Sequence, residues 1–163
     1  MTTGFDVFIS ERSVAHLFGI GIHTTMSKAS VDCPDLWKRV FVPRMLEISG
    51  KGPCEYHGPL YGISQMTDPQ TGSFAYWAAM PASEGAALPE GMREIDLPAG
   101  LYAGCALPSL ETLGEAYAFL YTAWPQSQNA YALNMQAPCF EYYDSDFCTS
   151  GKLQVYVPVI RKS

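Results

Sequence analysis

A glutamate flanked by aromatic residues is the feature of this sequence that could do chemistry. In the C-terminal stretch FEYYDSDFCTSGKLQVYVPVI, Glu141 stands between Phe140 and Tyr142, with Tyr143 next along the chain. A carboxylate withdrawn from water loses solvation, so it either pairs with a cation or its pKa rises. The first outcome would hold a cationic ligand, to which each aromatic face would add about 0.5 to 2 kcal/mol by cation–π attraction. The second would make Glu141 a general acid, a general base or a nucleophile.

A second candidate, Tyr156, lies in the stretch KLQVYVPVI near the end of the chain. Alternation along a strand places Gln154 and Tyr156 on one face and the apolar residues between them on the other. A phenol on that face could hydrogen-bond a ligand or the Glu141 carboxylate, or it could simply pack in the core or at the surface. For Glu141, the alternative to a binding cleft is an exposed strand face.

Other aromatic and apolar side chains could complete a cleft around the glutamate. Two tyrosines come from the first half of the chain, and two tryptophans stand near the ends of predicted helices, where helices could flank a cleft. The predicted ligand-binding set is Glu141, Tyr156, Tyr61, Tyr76, Trp37, Trp124, Met66 and Phe140. If the protein is an enzyme, the predicted catalytic residues are Glu141 and Tyr156.

The composition indicates a folded, acidic domain. Of the 163 residues, 48% are apolar and 16% are charged, which allows a buried core and is unlike disordered sequences. The formal net charge of −6 disfavours nucleic-acid binding, which requires a basic face. No apolar run approaches the length needed to cross a bilayer, and the N-terminus does not resemble a secretion signal. Five cysteines without a CxxC motif favour reduced thiols and hence a cytoplasmic location.

No cofactor and no metal site are predicted. Cys54 and His57 have a spacing that could begin a metal site, but no second ligand pair accompanies them. No serine stands in a nucleophile-elbow context, and no glycine-rich phosphate loop of the usual patterns is present. No membrane and no direct nucleic-acid contact are expected, and the small-molecule ligand that we expect as a partner follows from the acid among aromatic residues.

Hydrophobic periodicity predicts the order strand, helix, two strands, and then the same order again. Pro43 is expected to kink the first helix or end it early, and Pro125 to end the second. The predicted elements are a strand over 13–25, a helix from 32, strands at 60–64 and 73–82, one bent strand or two strands over 92–107, a helix from 109, and strands over 139–147 and 152–160.

The two halves repeat in residues as well as in pattern. AHLFG at 15–19 aligns with AGLYA at 99–103, and Met80-Pro81 closes the first half as Val157-Pro158 closes the second. Repeats of this size usually complete one another's core. We therefore predict a single domain over 1–163, with half-repeats at roughly 13–82 and 91–161. The predicted class is α+β: duplicated βαββ units form a curved antiparallel sheet with two helices on one face and pseudo-two-fold symmetry.

These residues resemble the gyrase-inhibitor-like (GyrI-like) small-molecule-binding domains, which also form the effector-binding regions of AraC-type and MerR-type multidrug regulators. The matching segments of the second half are LPAGLYAGCAL, YTAWPQ, FEYYD and LQVYVPVI, and those of the first half are DLWKRVF, YGIS and FAYWAAMP. The similarity covers nearly all of the chain after about residue 13. It implies two pseudo-symmetric βαββ units whose joined sheet holds a ligand between the helices, in a stand-alone form without a DNA-binding region.

The resemblance also implies roles for individual residues. In the regulators, a buried glutamate at the position of Glu141 meets lipophilic cations while tyrosines stack against them, and Tyr156 falls on the family's tyrosine in the final strand. The first function implied is thus binding of lipophilic, possibly cationic, small molecules, as a drug receptor or a toxin-sequestering protein. The alternatives are hydrolysis of cyclopropane-type electrophilic toxins by the same glutamate, and inhibition of DNA gyrase through a protein contact.

Overall fold

The computed structural model describes residues 5–52, 58–68, 70–82, 87–144 and 146–162. Its strands are β1 (Phe8–Arg12), β2 (Ala15–Thr25), β3 (Leu60–Asp68), β4 (Ser73–Pro81), β5 (Arg93–Leu97), β6 (Gly100–Leu107), β7 (Tyr131–Leu133), β8 (Cys139–Tyr143) and β9 (Leu153–Arg161). Its helices are α1 (Ala29–Asp35), a π-helical segment (Leu36–Phe41), α2 (Val42–Ser49), a 3₁₀ turn (Leu110–Thr112), α3 (Leu113–Tyr121), α4 (Ala123–Ser127) and α5 (Phe147–Ser150).

The described strands form one antiparallel sheet that is symmetric about the pair β8–β3. The order is β1-β6-β9-β8-β3-β4-β2-β5, with β7 paired to β9 outside this path. Each side of the centre therefore repeats the same pattern, and β8 meets β3 with Glu141 opposite Gly62. The predicted α+β class, with duplicated βαββ units in an antiparallel sheet, is confirmed.

The sheet curls into an incomplete barrel because its two edges are tied together by the chain. Only residues 13–14 separate β1 from β2, and only residues 98–99 separate β5 from β6, although each pair stands near opposite edges of the sheet. Two short connections of this kind bring the edges towards each other. The inner face of the curl is filled by an aromatic-rich cluster that consists of Leu17, Tyr61, Ile63, Ala79, Leu97, Tyr102, Phe140 and Tyr156.

The helices cover the outer face of the curled sheet and form two further apolar clusters with it. The first-half cluster includes Leu36, Phe41 and Met45 from the helices, packed on strand residues such as Phe74. The second-half cluster joins the helical residues Ala116, Leu120 and Trp124 to residues of β6, β8 and β9. Both faces of the sheet are therefore buried, the outer face under the helices and the inner face by the aromatic-rich cluster.

Of the two outcomes predicted for Pro43, a kink or an early end of the first helix, the early end is not observed. The chain changes to π-helical form over Leu36–Phe41, and the backbone N–H of Val42 donates to the carbonyl oxygen of Trp37, five residues back. Pro43 then occupies the first turn of α2, where a missing backbone N–H is tolerated, and the helix continues to Ser49. The π-helical segment sets the position of Trp37, and such segments are frequent at functional sites.

Other details also differ from the sequence-based predictions. The strand predicted over 139–147 ends at Tyr143, and α5 begins at Phe147. Pro125 does not end the second helical region but lies within α4, after a break at Thr122. The strands β1 and β7 were not predicted, because both are short and lack the long apolar runs of the central strands. Cys148 is disulfide-bonded, whereas Cys33, Cys105 and Cys139 are free, so the expectation of reduced thiols is wrong at Cys148.

Cys54 and His57 lie outside the described residues. Within the described ranges, no helix is both long and apolar enough to cross a membrane.

Candidate functional site

Glu141 is a buried carboxylate held by three tyrosine hydroxyls. Its side chain points from β8 to the outer face of the sheet, beneath the helices, and is only 4% exposed. Tyr76 and Tyr143 donate hydrogen bonds to Oε1 at 3.1 and 2.8 Å, and Tyr117 donates to Oε2 at 3.0 Å. Both carboxylate oxygens are therefore satisfied by phenols, and a carboxylate is an acceptor that suits such donors.

A tryptophan from the first helical region extends this network. The indole N–H of Trp37 donates to the hydroxyl oxygen of Tyr76 at 2.9 Å, and its ring meets that of Tyr143 edge-on at 5.8 Å. Tyr76 lies on β4 and Tyr117 on α3. We call Glu141, Tyr76, Tyr117, Tyr143 and Trp37 the glutamate cluster. It draws on both halves of the chain and on both helical regions.

The glutamate cluster depends on the absence of a side chain at Gly62. This residue lies in β3 directly opposite Glu141. A Cβ atom built at Gly62 would come within 2.7 Å of Glu141 Oε1 and would also overlap the Tyr76 hydroxyl. Glycine inside a strand often marks a place where another group approaches the backbone closely. Here that group is the carboxylate with its tyrosine partner.

Burial raises the pKa of the Glu141 carboxyl, and the hydrogen bonds from Tyr143, Tyr117 and Tyr76 act in the opposite direction. In the described part of the chain, no lysine, arginine or histidine forms an ion pair with Glu141. Within this part of the chain, the carboxylate thus has hydrogen-bond partners but no positively charged partner. Such a group gains stabilisation from any cation that enters the site.

The surrounding titratable groups stay protonated. Burial and the neighbouring Glu141 carboxylate raise the pKa of Tyr76, Tyr117 and Tyr143 well above the ordinary phenol value. Burial, with Glu141 as a second cause, also raises the pKa of the Cys33 thiol to about 12. The tyrosines are consequently neutral hydrogen-bond donors, and Glu141 is the group of the cluster that can become charged.

Three of the predicted site residues lie on the other face of the sheet. Tyr156 is opposite Phe140 in the pairing of β8 with β9, and Tyr61 is opposite Tyr142 in the pairing of β3 with β8. All of them point into the barrel, whereas Glu141 points out of it. The hydroxyl of Tyr156 donates to Gln154 Oε1 at 2.5 Å instead of to Glu141. The structure therefore does not bring together the predicted catalytic pair of Glu141 and Tyr156.

Of the remaining predicted residues, Tyr76 and Trp37 join Glu141, and the other two do not. Trp124 packs in the second-half apolar cluster beneath the helices. Met66 is 41% exposed on β3 and contributes to none of the apolar clusters of the described residues.

The sequence-based prediction missed Tyr117, Tyr143 and Gly62 as site residues. Tyr117 recurs at helical spacing with Leu113 and Leu120 in the sequence, and the phenol hydroxyl of a tyrosine on such an apolar stripe suggests a polar partner. Tyr143 is two residues from Glu141, so strand alternation alone places it on the same face. Gly62 interrupts the apolar strand LYGIS, which was the available signal for close approach.

Two surface depressions of the described structure lie away from Glu141. They have volumes of about 420 and 440 Å³, border the connection between β5 and β6 and are lined by residues such as Arg12, Gly100 and Arg161. Glu141 is thus enclosed by its own tyrosines and by the helical cover. A ligand can reach the carboxylate only if side chains of that cover move aside.

Comparison with known proteins shows one matching family. A family model described as an integron-associated effector binding protein, Cass2, matches residues 9–159. The transcriptional regulator BrlR of Pseudomonas aeruginosa is 30% identical over 133 residues, which cover 76% of this chain and 45% of the regulator. The chain therefore spans less than half the length of this curated relative.

Solved structures show the same fold at low sequence identity. SAV2435 bound to tetraphenylphosphonium has a TM-score of 0.72 at 17% identity, covering 95% of this chain and 94% of that chain. The integron cassette protein VCH_CASS2 from the mobile metagenome of Vibrio cholerae has a TM-score of 0.67 at 16% identity, covering 96% and 98%. These two likenesses concern the fold.

Proposed function

We propose, from the premise that this chain belongs to the integron-associated effector binding proteins, a GyrI-like family, that its effectors are lipophilic cations which bind at Glu141. Binding of a small molecule follows from the family. The choice of a cation, and of Glu141 as its counter-charge, is the proposal. SAV2435, a protein of the same fold, is described in complex with tetraphenylphosphonium, a lipophilic cation.

The observation that carries the proposal is a buried carboxylate that has no counter-charge among the residues the structure describes. Glu141 is 4% exposed and accepts hydrogen bonds from three neutral tyrosines. Dipoles of this kind compensate a buried charge only in part, which is why its pKa is raised. A cation brought next to the carboxylate supplies the missing charge in a medium where water screens it weakly.

The rings of the glutamate cluster support binding of an apolar cation rather than a metal ion. The described residues contain no group of three or more histidine, cysteine or acidic side chains that could hold a metal. Trp37 and the tyrosines instead offer aromatic faces, to which a diffuse organic cation is attracted by about 0.5 to 2 kcal/mol for each ring. A ligand with aromatic groups would also bury apolar surface against Phe41 and the helices.

Entry of the ligand requires the helical cover to open. Trp37 in the π-helical segment and Tyr117 in α3 lie over Glu141 from the two helical regions. The π-helical segment departs from regular α-helical hydrogen bonding, and such segments are frequent at functional sites, so it is the part of the cover that we expect to move. The cation then replaces one or more tyrosine hydroxyls as the partner of the carboxylate.

Isothermal titration with tetraphenylphosphonium tests this function. We expect Glu141→Gln to weaken binding at least tenfold, which corresponds to about 1.4 kcal/mol. Triphenylphosphine oxide, a neutral molecule with similar rings, should bind wild type weakly and should not distinguish the two proteins. Glu94→Gln is the matched control, because it removes the same charge from an exposed position on β5. Equal affinity of wild type and Glu141→Gln for the cation would contradict the proposal.

Two alternative functions have less support. Hydrolysis of cyclopropane-type electrophiles was predicted to use Glu141 with Tyr156, and those side chains point to opposite faces of the sheet. The raised pKa of Glu141 would suit a general acid, but the three phenols already occupy both of its oxygens. For inhibition of DNA gyrase, the described surface offers no feature that favours a contact with that enzyme.

A further inference from the structure

A second group of aromatic rings, on the inner face of the barrel, already holds a cation of the chain itself. The guanidinium carbon of Arg12 lies 4.9 Å from the ring centroid of Tyr156, 5.4 Å from that of Tyr142 and 5.5 Å from that of Phe140. All three distances are within the range of cation–π attraction. We call Tyr61, Phe140, Tyr142 and Tyr156 the inner cage.

The inner cage is a packed aromatic unit rather than a chance contact. Phe140 and Tyr156 stack at 4.8 Å with their planes 20° apart. Tyr61 meets Tyr142 edge-on at 5.3 Å and Phe140 at 5.9 Å. Three of these rings are buried and Tyr142 is half-buried, which leaves one side of the cage near solvent. The cage therefore presents preformed faces to whatever group stands in the position of Arg12.

Arg12 is held there by aromatic faces instead of by an acid. Among the described residues, no carboxylate forms an ion pair with it. Its positive charge opposes the rise that burial causes in the pKa of Tyr61 and Tyr156. The faces of the cage therefore suit a planar cation such as a guanidinium.

The position of Arg12 allows it to leave without unfolding the sheet. It is the last residue of β1 and pairs with Gly100, which has no neighbour within 4 Å of where a Cβ would lie. A depression of about 420 Å³ adjoins it, lined by Glu11, Arg12, Ser13 and residues 99–101. Glu11 is exposed and places a negative charge at this opening. Rotation of one side chain therefore exposes the cage to an incoming cation.

We propose that the inner cage is a second binding site, for small planar cations of the guanidinium and amidinium class, and that Arg12 is its built-in competitor. A ligand of this class would displace the Arg12 side chain into the adjoining depression and take its place on the rings of Phe140, Tyr142 and Tyr156. The site lies on the opposite face of the sheet from Glu141, so it does not depend on the function proposed above.

A titration of the Arg12→Ala variant with methylguanidinium tests this site. Removal of the Arg12 side chain should tighten methylguanidinium binding at least tenfold relative to wild type. The ligand can then contact two or three rings that Arg12 occupies in wild type. The tyrosine ring signals in NMR spectra that shift should be those of Tyr61, Tyr142 and Tyr156. The same cation should also raise the melting temperature of Arg12→Ala more than that of wild type.

Two matched controls are needed. One distinguishes the effect of the ligand's charge from that of its shape, and the other distinguishes loss of Arg12 from loss of an exposed arginine. N-Methylurea is a neutral planar molecule of nearly the same shape and should produce neither effect. Arg93→Ala removes an exposed arginine from β5 and should behave as wild type. If Arg12→Ala does not fold, Arg12→Gln, which retains more of the covering side chain, takes its place with the same expectations.

Three results would overturn the proposal. The first is methylguanidinium binding that is no tighter in the Arg12 variant than in wild type. The second is equal binding of N-methylurea and methylguanidinium. The third is a response confined to Tyr76, Tyr117 and Tyr143, which would assign the cation to the glutamate cluster.

Discussion

Glu141 and Gly62 face each other across the central strand pair of the sheet, and the missing side chain of one makes room for the carboxylate of the other. The strands β8 and β3 belong to different halves of the chain, so this contact lies at the junction of the two repeats. The glutamate cluster is therefore built at the one place where both halves and both helical covers can contribute to a single site.

Replacement of Gly62 by alanine should disrupt the glutamate cluster. The added Cβ would come within 2.7 Å of Glu141 Oε1, and the strand backbone leaves little room for adjustment. We expect a loss of about 1 to 3 kcal/mol in the free energy of unfolding, typical of an overpacked buried site, together with weaker cation binding. Urea denaturation and calorimetric titration measure the two effects.

Gly114→Ala is the control for this prediction. Gly114 lies in α3 with nothing within 4 Å of its would-be Cβ, so alanine should be neutral or stabilising by up to about 1 kcal/mol. A Gly62→Ala protein as stable as wild type, with unchanged cation affinity, would show that the close approach is not needed.

Binding of a lipophilic cation should strengthen as the pH rises. The pKa of Glu141 is raised by burial in the free protein, and a cation binds the ionised form, so at low pH the site must first lose a proton. The affinity should increase as the pH rises above the ordinary carboxyl pKa. It should become constant at pH values where Glu141 is already ionised in the free protein. Calorimetry in buffers of different ionisation enthalpy should detect proton release in the rising region.

The Glu141→Gln variant has no proton to release at this position. Its affinity should be weak and nearly independent of pH over the same range. If the affinity of wild type does not change with pH over this range and no proton is released, cation binding does not depend on the ionisation of Glu141.

Trp37 should report on occupation of the site. Its indole N–H donates to the hydroxyl of Tyr76, and its ring touches Tyr143, so a ligand that displaces these tyrosines changes its surroundings. Tryptophan fluorescence should change on addition of tetraphenylphosphonium to wild type. Trp37→Phe should lose most of this change and about 0.5 to 1.5 kcal/mol of stability, the usual contribution of one hydrogen bond.

Trp124→Phe provides the comparison, because Trp124 lies in α4 and packs in the second-half cluster. It should retain the fluorescence response. A response that persists in Trp37→Phe and disappears in Trp124→Phe would locate the ligand elsewhere.

The sequence was sufficient for the fold because the repeated pattern of strand, helix and two strands leaves few ways to complete a core. The burial of Glu141 was expected from the family resemblance, because its aromatic neighbours alone also allowed an exposed strand face. Strand alternation would have excluded Phe140 from the same site, since adjacent residues of a strand point to opposite faces. Tyr156 could not be assigned from sequence in the same way, because its face relative to Glu141 depends on the register between β8 and β9.

Other parts of the site have no local sequence signal. Tyr117 reaches Glu141 from a helix, 24 residues away in the chain, and only tertiary packing shows which strand that helix covers. Arg12 precedes the repeated segments recognised in the sequence, and its contacts with three rings arise from the curling of the sheet. The π-helical segment that positions Trp37 ends at Phe41, directly before α2, which has Pro43 in its first turn.

The central claim is that the pKa of Glu141 is raised in the free protein and that a bound cation lowers it. Carbon-13 NMR titration of the Glu141 side-chain carboxyl, with and without saturating tetraphenylphosphonium, measures this directly. We predict a pKa above the ordinary carboxyl value in the free protein and a clearly lower pKa in the complex. A Glu141 carboxyl that titrates at its ordinary value, or whose pKa is the same in both states, would contradict the account.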